Sequence, residues 1–252
     1  MINNTRLDMI RSVLKTDHKV RVVDLSQKLE VVEETIRRDL KYLESLGELR
    51  RVHGGAILAY IDEEQPLDTR SKIRPKDKIK IAESAISLIE DGMAIFLDTG
   101  TTTLALAQKL TQFKDLKIIT NSLDIAQLMA LDQKNTVYVI PGKVRCNDNA
   151  IIGEQSIQFL SQYNYDLAFM GIGAISAQHG FMDYNEAEAF IRRKIIQYSQ
   201  KRIILADESK FMTKAFINTF GFDQIDILIT NKKPQVHYLE ALEKHDVQLI
   251  YK

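Results

Sequence analysis

From Lys76 onward one alternation repeats, and it limits the fold more than any other feature of the chain. Short apolar runs (MAIFLD, KIIT, VYVI, DLAFMGIG, RIILAD, IDILIT and VQLIY) are separated by stretches with helical spacing. The first such stretch carries Ile79, Ala82, Ile86 and Ile89 and ends at Asp91–Gly92. Others lie around Leu104 to Leu110, around Ile125 to Leu131, in EAEAFIRRKIIQYS and around Tyr238 to Lys244. A continuous apolar run indicates a strand covered on both faces, whereas a strand with one wet face alternates. Such strands joined by amphipathic helices predict an α/β domain on a parallel sheet over residues 76–252.

Composition narrows the classes of partner. The 252 residues include 34 Lys/Arg and 34 Asp/Glu, so the formal net charge is zero and any basic site must be local. A hydrophobic content of 45% is enough for a real core. The single Cys146 cannot close an internal disulfide, which fits a reducing, cytoplasmic setting. No leader-like series is present and no apolar run approaches ~18 residues, so no membrane partner is expected. The histidines (18, 53, 179, 237 and 245) show no metal-ligand spacing, and no metal site is expected.

Residues 1–57 follow a different, mainly helical period. Leu7, Ile10 and Leu14 recur at helical spacing, Val20 to Val23 is a short apolar stretch, and Asp24 is placed to cap a helix carrying Leu25 and Leu29. The connection VVEE leads to a third helix, from about Glu34 to Leu46, with Gly47 at its C-cap. Leu49 and Val52 then suggest a strand and Gly54–Gly55 a turn. Three short helices and a small hairpin are the plan of a winged helix-turn-helix. Residues 58–75, charged and without clean period, read as a linker.

On a helical wheel Ile36, Leu40 and Leu43 share one side of the third helix, and Arg37, Arg38 and Lys41 share the other. That exposed basic face suits the DNA major groove, and Thr35 stands near the helix N-terminus with a hydroxyl for a phosphate or base. The presumed wing adds Arg50, Arg51 and His53. Residues 1–56 hold 11 Lys/Arg against 9 Asp/Glu, a net of only +2, so the signal is clustering and not bulk charge.

In the α/β region, Asp98 and the turn TGTTT end one strand and open a helix. Gly100, Thr101 and Thr102 there present backbone N–H groups and hydroxyls to an anion. Other strand ends carry Thr120–Asn121–Ser122, Gly142–Lys143 with Arg145, Gly171–Ile172–Gly173 and Asp207–Glu208–Ser209–Lys210. Such ends converge on one crevice in an open parallel sheet. Lys143 and Lys210 are candidates for a phosphate charge, and Asp98 and Asp207 for ligand hydroxyls. No nucleotide-hydrolysing P-loop pattern is present.

The segment TIRRDLKYLESLGELRRVHGGA resembles the N-terminal signature of the DeoR family of bacterial transcriptional regulators, and the resemblance extends along essentially the whole chain. It implies an operator-binding winged helix-turn-helix followed by a sugar-phosphate sensor similar in fold to ribose-5-phosphate isomerase. DTGTT, TNS and D-x-S-K match the sensor's recurrent motifs, which implies ligand roles for Asp98, Gly100, Thr101, Thr102, Asn121, Asp207 and Lys210, with Lys78 on a commonly basic position. NAIIGEQSIQFLSQYNYDLAFMGIGAI and FMDYNEAE look closest to the glycerol-3-phosphate regulon repressor branch, so glycerol 3-phosphate leads among phosphorylated sugars and polyols as effector. The family's usual Ser stands as Val32, a usual Gly–Gly as Gly142–Lys143, and a usual Gly as Met212. The resemblance also implies repression and a homodimer or homotetramer, and no cofactor.

The rival class is a sugar-phosphate isomerase-like enzyme with a helical appendage, since Asp98, Asp207 and Glu208 could transfer protons. An enzyme, however, has no evident use for three aligned basic residues on one helix. A protein-interaction module would show exposed apolar stripes in residues 1–57, and none is apparent in the sequence.

Overall fold

The computed structural model describes residues 4–17, 19–46, 48–58 and 66–252. The chain forms two compact units, one of residues 1–62 with 212–214 and one of residues 63–211 with 215–252. The first contains α1 (Asn4–Asp17), β1 (Lys19–Arg21), α2 (Val22–Lys28), α3 (Glu33–Ser45), β2 (Leu49–Val52) and β3 (Gly55–Leu58). Its strands form an antiparallel sheet in the order β1-β3-β2. The wing therefore has a third strand where the sequence suggested only an apolar approach to α2. Asp24 is not the cap of α2: the helix opens at Val22, and Asp24 sits in its first turn, near the positive end of the helix dipole.

Leu7, Ile10 and Leu14 of α1 pack with Leu25 of α2, Ile36, Leu40 and Leu43 of α3, and Leu49 of β2. The α2–α3 turn is held by Ser26, whose hydroxyl donates to the Val31 carbonyl at 2.6 Å, and by Glu30 in the left-handed region at φ 53°. At the N-cap of α3, Val32 makes no side-chain bond, and Glu33 and Glu34 supply negative charge to the first turn instead. Gly47, the expected C-cap, lies outside the described residues. Gly54 and Gly55 serve different needs. Gly54 turns the chain at φ +75°, whereas a Cβ on Gly55 would stand 2.0 Å from the Val20 carbonyl oxygen, so only glycine lets β3 approach β1.

Two ion pairs tie this small core together. Arg6 of α1 pairs with Asp39, a buried acid on the inner side of α3, and Arg11 grips Glu48 with two bonds of 2.6 and 2.9 Å.

The second unit begins with α4 (Leu67–Lys72), inside the segment read as linker, and α5 (Pro75–Ala85). There follow β4 (Ala94–Leu97), α6 (Thr101–Ala107), β5 (Lys117–Thr120), α7 (Leu123–Ala130) and β6 (Thr136–Val139). A hairpin of β7 (Lys143–Arg145) and β8 (Ala150–Ile152) leads to α8 (Glu154–Leu160) and β9 (Tyr165–Met170). Then come β10 (Ala174–Ser176), β11 (Gly180–Asp183), α9 (Glu186–Tyr198), β12 (Ser199–Leu205), β13 (Ile217–Phe220), β14 (Ile227–Thr230), α10 (Val236–Lys244) and β15 (Gln248–Tyr251).

Seven strands form the expected parallel sheet, in the order β15-β14-β12-β9-β4-β5-β6, with an apolar cluster on each face. β10, β11 and β13 make a small antiparallel sheet of their own. The inward face of α5 is Lys78, Ile81, Ala82 and Ala85; Ile79, placed on that stripe from sequence, is exposed. The chain winds outward from β4 through β5 to β6, then returns to lay β9 on the other side of β4. That reversal makes the carboxyl ends of β4 and β9 the switch point at which open α/β sheets place a ligand crevice.

Removing the Asp39 carboxylate strands Arg6 against the core. Asp39→Ala is expected to lower the opening free energy of α3 amides by about 1–3 kcal/mol in native-state hydrogen exchange, while Asp8→Ala, at an exposed position, changes it by less than about 0.5 kcal/mol.

Candidate functional site

On α3, burial of Ile36, Asp39, Leu40 and Leu43 leaves Arg37, Arg38 and Lys41 exposed, with Thr35 half-buried. The three basic residues are not equivalent. Arg37 pairs with Glu33 at 2.5 Å and with Glu34 at 3.8 Å, whereas Arg38 and Lys41 have no ion pair among the described residues. In the wing, Arg50 and His53 are exposed, and Arg51 is held to the end of α3. The Glu44 carboxylate accepts both the Arg51 backbone N–H at 2.8 Å and its Nε–H at 2.6 Å, so one acid fixes β2 against the helix.

In the second unit the crevice between β4 and β9 is built around Arg192 of α9. This buried guanidinium donates from Nε to Asp98 at 2.7 Å and from Nη1 to Asp183 at 2.5 Å, and it lies 3.0 Å from Glu188 one turn earlier. Asp98 also accepts Asn121 Nδ2 at 3.0 Å and the Gly171 N–H at 3.3 Å. Asn121 returns its carbonyl oxygen to the Thr99 N–H at 2.7 Å. Asp183 accepts the Gly173 N–H at 3.0 Å and the Thr219 hydroxyl at 2.8 Å. The turns after β4, β5 and β9 are thus pinned to one cation.

The network runs outward. Glu188 also pairs with Arg145, Arg145 donates to Asp148 at 2.8 Å, and Arg70 of α4 stands 3.9 Å from Asp148. Four acids (Asp98, Asp148, Asp183 and Glu188) share three guanidiniums (Arg70, Arg145 and Arg192). Burial pushes the Asp98 carboxyl up to about 6; Arg192 opposes that rise and the nearby Glu188 charge adds to it. Burial also opposes ionisation of Glu188, but Arg192 and Arg145 outweigh it and hold that carboxyl below its ordinary value.

Three of the residues read from sequence as ligand contacts are engaged by protein partners. Asp98 and Asn121 are fully enclosed and give their polar atoms to protein partners, and Arg145 is neutralised by Asp148 and Glu188. All three hold this edge of the sheet together. Thr101 and Thr102 remain half-buried at the turn opening α6, where Gly100 has φ +149°. Lys143, on the β7 hairpin, is exposed. At the end of β12, Asp207 is buried and accepts Ser209 through its backbone N–H and its hydroxyl at 2.9 and 2.5 Å. Burial raises its carboxyl, yet Lys210, the Ser209 bonds and Lys78 together hold it below the usual range. Lys78 is buried and donates to the Arg70 carbonyl. Next to Asp207, Glu208 pairs with Arg74 and with Lys232 at 3.1 Å. Among the described residues, Thr99 Oγ1 and Thr230 Oγ1 at this carboxyl edge of the sheet are buried without a hydrogen-bond partner.

Sequence reasoning missed Arg192, Glu188, Asp183 and Asp148. A signal for two of them was present: Glu188 and Arg192, four apart, fall on the same stripe of α9 as the buried Ile191 and Ile195. A charge pair on an apolar stripe marks a buried polar site.

Comparison with known proteins agrees with this division. Residues 6–61 match the DeoR-like helix-turn-helix domain, and residues 73–232 match the DeoR C terminal sensor domain. The glycerol-3-phosphate regulon repressor of Escherichia coli (strain K12) is 30% identical over 249 residues, which is 99% of each chain. The HTH-type transcriptional repressor GlcR of Bacillus subtilis (strain 168) is 33% identical over 251 residues, covering 99% of this chain and 96% of its own. Among solved structures, ribose 5-phosphate isomerase A from Methanocaldococcus jannaschii aligns with 53% of both chains at 20% identity and a TM-score of 0.39. With both units matched and two repressors aligned over nearly their whole lengths, the chain belongs to the DeoR family and is a transcriptional regulator, not an enzyme.

Proposed function

We propose that the protein is a repressor that holds operator DNA through α3 and the wing and lets go when a phosphorylated sugar or polyol occupies the sensor. The observation that carries the DNA half is the pair Arg38 and Lys41, exposed on the outer face of α3 with no internal counter-charge among the described residues. Arg37 and Arg51, already paired with Glu33 and Glu44, are oriented by those acids before they meet phosphates. Thr35, Arg50 and His53 complete the contact surface. Two such heads on a homodimer or homotetramer would read a roughly palindromic site.

For the effector, the supporting feature is the pair of cations beside Asp207, Lys78 and Lys210, with Lys143 exposed on the β7 hairpin as a further candidate for the phosphate charge. Gly100, Thr101 and Thr102 add turn N–H groups and hydroxyls. Asp98, Asn121 and Arg145 keep this edge in shape without touching the ligand. Glycerol 3-phosphate leads among candidate effectors because a full-length relative at 30% identity is named for its regulon. No helix of the described residues is long and apolar enough to cross a membrane, in keeping with a partner set of DNA and a small metabolite.

Arg38→Ala is expected to weaken binding to operator and unrelated DNA alike and to reduce the magnitude of the log K against log salt slope by about 1. A salt titration with unchanged affinity and slope contradicts the assignment. Lys210→Ala is expected to bind operator as the wild type does but to lose its response to the metabolite. The test is a thermal-shift screen of phosphorylated sugars and polyols on both proteins, followed by operator-binding assays with each stabilising compound. Release of Lys210→Ala at wild-type concentrations of that compound removes Lys210 from the site.

A further inference from the structure

We infer that α4 and Arg74 belong to the effector site and form a strap that leaves its docked position when a phosphate group enters. This rests on the phosphate reading above and names how occupancy of that site is relayed.

Helix α4 has six residues, none of them buried and only Leu67 and Arg70 half-buried, so apolar packing contributes little to holding it. Isolated helices of this length do not persist in water, and α4 depends on its attachments. Those attachments are polar and lie on the carboxyl edge of the sheet. The Leu67 N–H donates to the Asn147 carbonyl at 3.4 Å, and Arg70 faces Asp148. Lys78 Nζ donates to the Arg70 carbonyl, which also accepts the capping Ile73 N–H at 3.2 Å at the end of α4. Arg74, between α4 and α5, pairs with Glu208 and lies 3.6 Å from Asp77. Its backbone is left-handed, at φ 50° and ψ 46°, a conformation a non-glycine residue adopts only when its surroundings enforce it.

Two of these tethers, Lys78 and Arg74, are cations beside Asp207 and Glu208. A phosphate monoester brings a charge of about −1.5 to −2 at neutral pH. Arriving between Lys78 and Lys210, it offers Lys78 a stronger acceptor than the Arg70 carbonyl, and it offers Arg74 a stronger one than Glu208. Both exchanges loosen the C-terminal end of α4 and leave it held by the Leu67–Asn147 bond and the Arg70–Asp148 contact. Covalent connection then carries the event onward, because α4 begins at Leu67, only a short run of sequence after β3 ends at Leu58. Arg74 is a sensing cation in this scheme: it contacts the ligand and its loss from Glu208 is the signal.

The test is hydrogen exchange of residues 67–72 in the full-length protein, with inorganic phosphate and with glycerol 3-phosphate as probes, and calorimetry to measure binding of each. In the wild type, saturation with a bound probe is expected to accelerate exchange across α4 by about fivefold or more. Arg74→Gly, whose new residue takes φ 50° without strain, is expected to show fast exchange before any probe is added and little change afterwards. Glu208→Gln breaks the same pair from the other side and is expected to behave alike; it also guards against misfolding of the first variant. A probe that binds the wild type and is lost in Lys210→Ala, yet leaves α4 exchange unchanged or slower, overturns the strap and keeps the phosphate site. Failure of both probes and of every phosphorylated compound in the screen to bind the wild type overturns the phosphate reading, and the strap with it.

Discussion

Arg192 is the interaction on which the sensor unit depends. A buried guanidinium and its carboxylates cost several kcal/mol each to desolvate, and only close, multiple bonds compensate. Here those bonds reach the turns after three different strands: Asp98 directly after β4, Asn121 after β5 through Asp98, and the Gly171 and Gly173 N–H groups after β9 through Asp98 and Asp183. The crevice at the point where the sheet reverses direction therefore has its rim bolted to one side chain. A site that recognises a small charged metabolite needs such a fixed rim, because reorganising it on binding would consume the affinity.

The same reasoning explains how a chain of zero net charge can serve as a DNA-binding regulator. The buried and half-buried acids and bases neutralise one another locally, as in Arg6 with Asp39, Arg11 with Glu48, and Arg145 with Asp148 and Glu188. Among the described residues, the exposed cations with no ion pair include Arg38 and Lys41 on α3, Arg50 in the wing and Lys143 at the β7 hairpin. Neutrality elsewhere limits indiscriminate attraction to nucleic acid.

Much of this was legible in the sequence, because periodicity reports burial directly. The apolar runs became the parallel strands, and Ile36, Leu40 and Leu43 became the inner face of α3. Strand order was not legible, since an apolar run says that a strand is covered and not which strand lies beside it. The place of β9 next to β4, which creates the crevice, follows from contacts distant in sequence. The motif DTGTT marked the turn after β4, but not that Arg192, 94 positions later, claims one of the Asp98 oxygens. Strand β1 was hidden by brevity, and Ile79 misled because α5 turns its buried face toward Lys78, a residue type that periodicity assigns to solvent.

The central claim is that occupancy of the strand-end site and grip on DNA oppose each other, and thermodynamic linkage makes that measurable in the reverse direction. An effector that weakens operator binding by a given factor must itself bind operator-loaded protein more weakly by the same factor. Calorimetric titration of the stabilising phosphorylated compound into free protein and into protein saturated with operator measures this directly. The account predicts a lower affinity in the presence of operator, by the factor found for DNA release. Equal affinity with and without operator would contradict it.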